Sequence, residues 1–164
     1  MQTGTALQSE FNQRLGLGED HDEKQYLTFL MAGEEYGVDI LSVQEIRGWT
    51  SATAIPNAPD FVKGAINLRG TIVPIIDLRL RFGIDPIAYG PLTVVIVVAV
   101  EFKEQTKTMG IVVDGVSDVY SISEEKAKDV PDFQESSSSQ YVDGLVNVGE
   151  KMVVLLNLQK TLQI

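Results

Sequence analysis

Cysteine is absent from the 164 residues, which removes disulfides and thiolate chemistry and suits a reducing interior. Histidine occurs once, as His21, and no Ser-His-Asp or Cys-His set can be assembled around it. It reads as a solvated tail residue. Basic residues are scarce: 13 Lys and Arg stand against 23 Asp and Glu, for a net charge of −10. Without a basic face, nucleic acid is excluded as a partner. Long apolar runs are missing too. The longest, Val94–Val100, falls far short of the ~20 residues a membrane helix needs. The N-terminus lacks the basic start and apolar core of a signal peptide, so a cytoplasmic protein, not embedded in a membrane, is expected. Gly16-Leu17-Gly18 lacks the glycine, lysine and hydroxyl of a phosphate loop. Metal-ligand spacing is also missing, and Asp114 and Asp118 read as structural carboxylates. Glu45 and Asp118 form at most a distant carboxylate pair, and nothing places them around a substrate. The expectation is a protein with no catalytic residues, no metal and no cofactor.

What the chain does have is one hairpin pattern, present twice. Phe61–Leu68 is an apolar strand, Arg69-Gly70 a tight turn and Thr71–Ile76 a second strand, followed by the short helix signal Asp77–Phe82. Aligned without gaps, Phe61–Leu78 matches Tyr141–Leu158, with Val62/Val142, Gly64/Gly144, Asn67/Asn147, Val73/Val153 and Leu78/Leu158 identical. Upstream, Tyr36-Gly37-Val38 and Val43–Ile46 answer Met109-Gly110-Ile111 and Val116–Val119. The chain therefore holds two copies of one β-rich unit. The copies part company at the hairpin tip, where Arg69-Gly70 becomes Gly149-Glu150, and at Pro74, which becomes Val154. A fold that tolerates either residue does not need the one it has, which points such positions toward function.

Residues 1–24 form a polar leader ending in an acidic run, with a weak helical stripe at Leu7, Phe11 and Leu15. The first unit is expected over 25–85 and the second over 86–164, with strand exchange between them left open. Leu92–Val100, nearly all β-branched and apolar, should be a strand buried on both faces and form the wall between the units. Glu101–Lys107 reads as a charged turn, and Pro74 implies an edge position or a bulge. Five strands per copy are too few for a sandwich and suit a small barrel. The fold class expected is mostly β: two five-stranded barrels packed on a shared hydrophobic core, with short helices including one at the C-terminus. Arg69 at a hairpin tip, Glu45 and Arg47 along one strand, and Ile40 and Val43 beside them make the surface that best suits a protein partner.

Four motifs in order resemble the CheW family of chemotaxis coupling proteins, covering about residues 25–160. They are Glu35–Ile40, Val43–Gly48, Lys63–Gly70 with Pro74–Arg79, and Gly110–Val119. The resemblance implies two SH3-like barrels and a non-catalytic adaptor between chemoreceptor signalling tips and the regulatory domain of the histidine kinase CheA, with other CheW copies as ring neighbours. It implies a receptor groove at Ile40, Glu45, Arg69, Val116 and Val119, and kinase contacts at Val43, Gly64, Lys128 and Phe133. At 164 residues an appended receiver domain is not expected. A CheW-like module of another signalling array, or a small-ligand-binding barrel, would use the same fold for other ends. Co-sedimentation with receptor and kinase separates the first, and a ligand-induced melting shift the second.

Overall fold

The two repeated hairpins fold alike and bring their neighbours with them. The structure, a computed structural model, describes residues 23–123 and 140–163. Among these the strands are β1 (Glu23–Met31), β2 (Glu34–Asp39), β3 (Val43–Gly48), β4 (Val62–Leu68) and β5 (Thr71–Asp77) in the first half. The second half has β6 (Val94–Phe102), β7 (Gln105–Val113), β8 (Gly115–Ser123), β9 (Val142–Val148) and β10 (Lys151–Leu156). One-turn helices α1 (Leu78–Arg81) and α2 (Leu158–Thr161) follow β5 and β10. Each starts on a side-chain cap, for the residue that ends the hairpin accepts from the helix's own amides. Asp77 Oδ1 accepts from Arg79 N at 2.9 Å and Asn157 Oδ1 from Lys160 N at 3.0 Å.

The strands sort into two five-stranded sheets, ordered β8-β1-β2-β10-β9 and β3-β6-β7-β5-β4, and each curls into a small barrel. Each sheet draws strands from both copies. β1 and β2 pair with β8 and β10, while β6 and β7 pair with β3 and β5. The sheets therefore do not follow the division at 85/86 that the repeat suggests. The cause is local. Only the 3-10 turn Ile40–Ser42 separates β2 from β3, and its flanking residues Asp39 and Val43 are both extended (ψ 123° and 122°). Such a turn advances the chain instead of reversing it, so β3 runs on into the other sheet. Only Asp114 separates β7 from β8, with the same result.

Three apolar clusters follow from period-two alternation on strands buried on both faces. Val73, Ile75, Val95, Val97 and Val112 fill one barrel. Ile122, Val146, Val153 and Leu155 fill the other. Between the barrels lies a shared core, in which Phe29, Met31 and Val38 meet Ile96, Val98 and Ile111. As its β-branched run predicts, β6 is the wall: Val95 and Val97 point into a barrel, and Ile96 and Val98 into the shared core. Each such side chain contributes roughly 1.5–3 kcal/mol by leaving water. Leu92 stands outside this wall, 78% exposed, because the strand begins at Val94.

Three further expectations change on the same physical grounds. β1 starts at Glu23, inside the expected leader, where Glu23 pairs with Ser123 and accepts from Ser121 Oγ at 2.6 Å. The charged turn at Glu101–Lys107 contracts to Lys103-Glu104, both at positive φ (44° and 68°), so β6 and β7 form a tight hairpin. Pro74 lies neither on an edge strand nor at a bulge, since β5 sits between β7 and β4. Its neighbour Ala65 exchanges both backbone hydrogen bonds with Thr53, at 2.9 and 2.8 Å, so the pair Ala65–Pro74 asks no amide of proline. On the other side, the ladder to β7 begins one residue later, at Ile75.

Two arginines tie the barrels together. Arg79 donates from Nε and Nη2 to the two carboxylate oxygens of Asp114 (2.9 and 2.8 Å) and from Nη1 to Asp85 O. Asp114 also accepts from the Ala32 amide, so the crossover residue holds the β1–β2 turn of one sheet and α1 of the other. Arg81 stacks between Phe61 and Tyr141, equivalent residues of the two copies, and donates to Thr161 O at the end of α2. Among the described residues no helix is long and apolar enough to cross a membrane.

The hydrogen-bonded Arg79 guanidinium, helped by the Ala32 amide, holds the Asp114 carboxyl below the usual carboxylate range against the opposing effect of its burial. A lowered folded value means stability that is present above the ordinary carboxylate range and lost as pH falls through the folded value. Urea titrations of wild type and Asp114→Asn across pH 2–7 (a rough window set by ordinary carboxylate values) should show the gap between them widest at neutral pH and closing on acidification. A gap that does not change with pH contradicts this role.

Candidate functional site

Glu45 and Arg69 meet across the seam of one barrel. β3 and β4 are the outer strands of their sheet, and closure brings them together. Thr53, beyond the end of β3, bridges to Ala65 on β4. At the same seam Arg69 Nη2 donates to Glu45 Oε1 at 2.9 Å. The Arg69 side chain is 73% exposed and that of Glu45 26%. A carboxylate set back in the strand thus steers a guanidinium that projects from the tip. An exposed pair of this kind contributes at most about 1 kcal/mol to stability.

The tip holds its arginine against local preference. Arg69 adopts φ 50° and Gly70 φ 87°, the pair of positive values that a two-residue hairpin turn requires. Asn67 Oδ1 accepts from Gly70 N at 2.8 Å and fixes the turn. A side chain at left-handed φ costs on the order of 1 kcal/mol, and the second copy avoids it by placing Gly149 (φ 63°) there. Arginine at this position is therefore not a folding requirement.

The other expected residues divide by what the structure lets them present. Val43 lies two residues before Glu45 on β3, but an irregularity in the ladder between them sets Val43 opposite Val98 of the shared core and Glu45 opposite Val97; Ile40 opens the 3-10 turn ahead of Val43, and both Ile40 and Val43 are half-buried against the shared core. Val116 is the second residue of β8 in the other sheet and is 37% exposed. Val119 is 4% exposed and packs in the shared core, so its side chain offers nothing to a partner. Gly64 is buried, at φ +139°, and a Cβ there would lie 2.2 Å from Thr53 O; its place is explained by the close approach that shuts the barrel. Lys128 and Phe133 lie outside the described residues. Ile46, 43% exposed on the face of β3 opposite Glu45, and Leu41, 70% exposed in the 3-10 turn, border the same region, and the alternation Glu45-Ile46-Arg47 could have singled out Ile46.

Among the described residues, the carboxylates near this surface are already engaged. Glu45 is engaged by Arg69, and Asp118 lies in the other sheet, where its backbone meets Thr28 Oγ1. Asp114 is engaged by Arg79. Among the described residues no group of three or more His, Asp or Glu side chains is placed to hold a metal ion. The barrel interiors are filled by side chains that are almost wholly buried, Val73, Ile75 and Val97 among them, which leaves no room for a small molecule inside.

Two substitutions should separate packing from presentation. Gly64→Ala should lower stability by about 2 kcal/mol or more, because backbone must move to admit the methyl and the φ is wrong for alanine. Arg69→Gly should stay within about 1 kcal/mol of wild type, as the lost ion pair is offset by relief of the left-handed strain. Denaturant midpoints compare the two directly, and equal losses would mean that Arg69 is a structural residue.

Known proteins resemble this chain over most of its length. The family model described as "CheW-like domain" matches residues 25–164. Chemotaxis protein CheW of Klebsiella aerogenes is 48% identical over 139 residues, which is 85% of this chain and 81% of that protein. Probable chemotaxis protein CheW of Rhizobium etli is 36% identical over 84% of this chain and 86% of its own length. The crystal structure of the scaffolding protein TtCheW from Thermoanaerobacter tengcongensis superposes with a TM-score of 0.77 at 32% identity, over 90% of this chain and 92% of that one. Matched over most of its length by that family model and by these relatives, the chain belongs to the CheW-like family of non-catalytic chemotaxis scaffolds.

Proposed function

We propose that this chain couples the cytoplasmic signalling tips of methyl-accepting chemoreceptors to the regulatory domain of the histidine kinase CheA, working in the cytoplasm at membrane-associated receptor arrays. The observation that carries the reading is Arg69, held out at a barrel seam by Glu45 at a position where the duplicated copy does without it. A receptor tip is a helical hairpin with an amphipathic surface. Ile40, Glu45, Arg69 and Val116 offer it aliphatic side chains with a charged anchor, the usual composition of an interface centre. Val43, with Lys128 and Phe133, is assigned to the kinase side, and further copies of the chain to the same rings. Gly64 and Val119 act through packing, by keeping the seam shut and the core filled.

Pulldowns with a receptor-tip fragment and with the CheA regulatory domain test this. Arg69→Ala should cost about 2 kcal/mol of binding to one of the two, roughly 30-fold, with the fold intact. Undiminished binding of both partners would remove Arg69 from the site. Failure of wild type to bind either one would favour service in another signalling array.

A further inference from the structure

The two one-turn helices sit at equivalent places in the repeat, and the side chains around them differ. Phe82, just past α1, answers Leu162, just past α2, and Tyr36 on β2 answers Met109 on β7. Hairpin register then sets Phe29, opposite Tyr36, against Val98, opposite Met109. At the first place three rings touch in series, with centroids 5.9 Å apart from Phe29 to Tyr36 and 5.9 Å from Tyr36 to Phe82. At the second, Val98, Met109 and Leu162 stand in their stead, and none of them has a ring. Met109 and Leu162 line a groove of about 770 Å³ there. It runs across the face of β5, β7 and β6 that carries the shared core further along, with Ile72 and Pro74 on one flank and Phe102 on the other. Gln159 Nε2 donates to Glu101 O at 3.0 Å and ties α2 to β6 at its edge.

The rim of the groove reverses the sign of the molecule. The chain carries a net charge of −10, yet Lys103, Lys107 and Lys160 line the groove with Glu101 as its one carboxylate. Two of these lysines are departures from the other copy, for Lys107 answers Glu34 and Lys160 answers Leu80. Among the described residues none of the three is ion-paired, and Lys107 Nζ rests 5.4 Å from the centroid of the Phe102 ring. Ile72, 67% exposed, leaves apolar surface uncovered beside them. We propose that this groove receives an aromatic side chain of a partner protein, carried on a segment with Asp or Glu on both sides of it. The ring lies over Met109 and Leu162 between Ile72 and Phe102, where it gains aromatic and sulfur contacts. The flanking carboxylates meet the lysine rim, and the acidic surface elsewhere repels them, so charge also fixes where the segment lands. The site uses none of the residues assigned above to receptor or kinase.

A fluorescein-labelled peptide Gly-Asp-Glu-Phe-Glu-Asp-Gly, titrated into the full chain and read by anisotropy, tests it. Saturable binding to wild type is expected. Ile72→Glu, and separately the pair Lys107→Glu with Lys160→Glu, should each weaken it about tenfold or more. All three positions are exposed, so circular dichroism should show the fold unchanged. Replacing the peptide's phenylalanine by alanine, or its acids by their amides, should cost binding to a similar degree. Arg69→Ala should leave peptide binding as it is, so failure here and failure of receptor or kinase coupling are told apart. Absence of saturable binding, equal binding of either altered peptide, or full binding by the Ile72→Glu chain would each overturn the proposal. Phe11→Ala should change nothing; a clear tightening would assign the groove to the chain's own Glu10-Phe11 and overturn the partner.

Discussion

Everything in this molecule depends on a strand that has no outer side. β6 is buried on both faces because one face fills a barrel and the other fills the layer between barrels. That arrangement is available only because β6 and β7 sit in a sheet with β3, β4 and β5, while β1 and β2 have gone the opposite way. The exchange follows from two connections too short to turn the chain around, Ile40–Ser42 and Asp114. Neither copy can assemble its own barrel without the other. The shared core, the Arg79–Asp114 latch and the Arg81 stack are consequences of that reciprocity.

A doubled fold also supplies its own control. Where the two copies agree, as at Val73/Val153 or Leu78/Leu158, the residue serves the core. Where they disagree, one copy shows what the fold accepts and the other shows a departure from it. Gly149 accepts the left-handed turn that Arg69 endures, and Val154 pairs where Pro74 cannot. Both departures lie in the first copy's hairpin, and both alter what the surface presents without disturbing the interior.

Much of this was legible in the residues because the signals are local. A β-branched run marks β6, an Arg-Gly turn marks the hairpin, and the gapless match marks the duplication. The family's motif pairs Glu45 with Arg69, and their contact depends on barrel closure. What stayed hidden was non-local. Alternation along β1 and β2 says that one face is buried but not which copy buries it. Val119 and Gly64 carry motif positions, yet their roles come from a core and a close approach that exist only after the sheets curl. The place of Pro74 depended on which neighbour would need its amide, which is decided by Thr53, twelve residues before Ala65 in the chain.

The central claim is that the two barrels are one cooperative unit. Trp49, the only tryptophan, packs edge-on against Tyr89 at 4.6 Å and reports one barrel, whereas far-UV circular dichroism reports both. Guanidinium unfolding followed by the two signals should give coincident transitions, since neither barrel is complete without strands of the other copy. A tryptophan transition separate from the backbone transition would show that the barrels stand independently and would contradict the account.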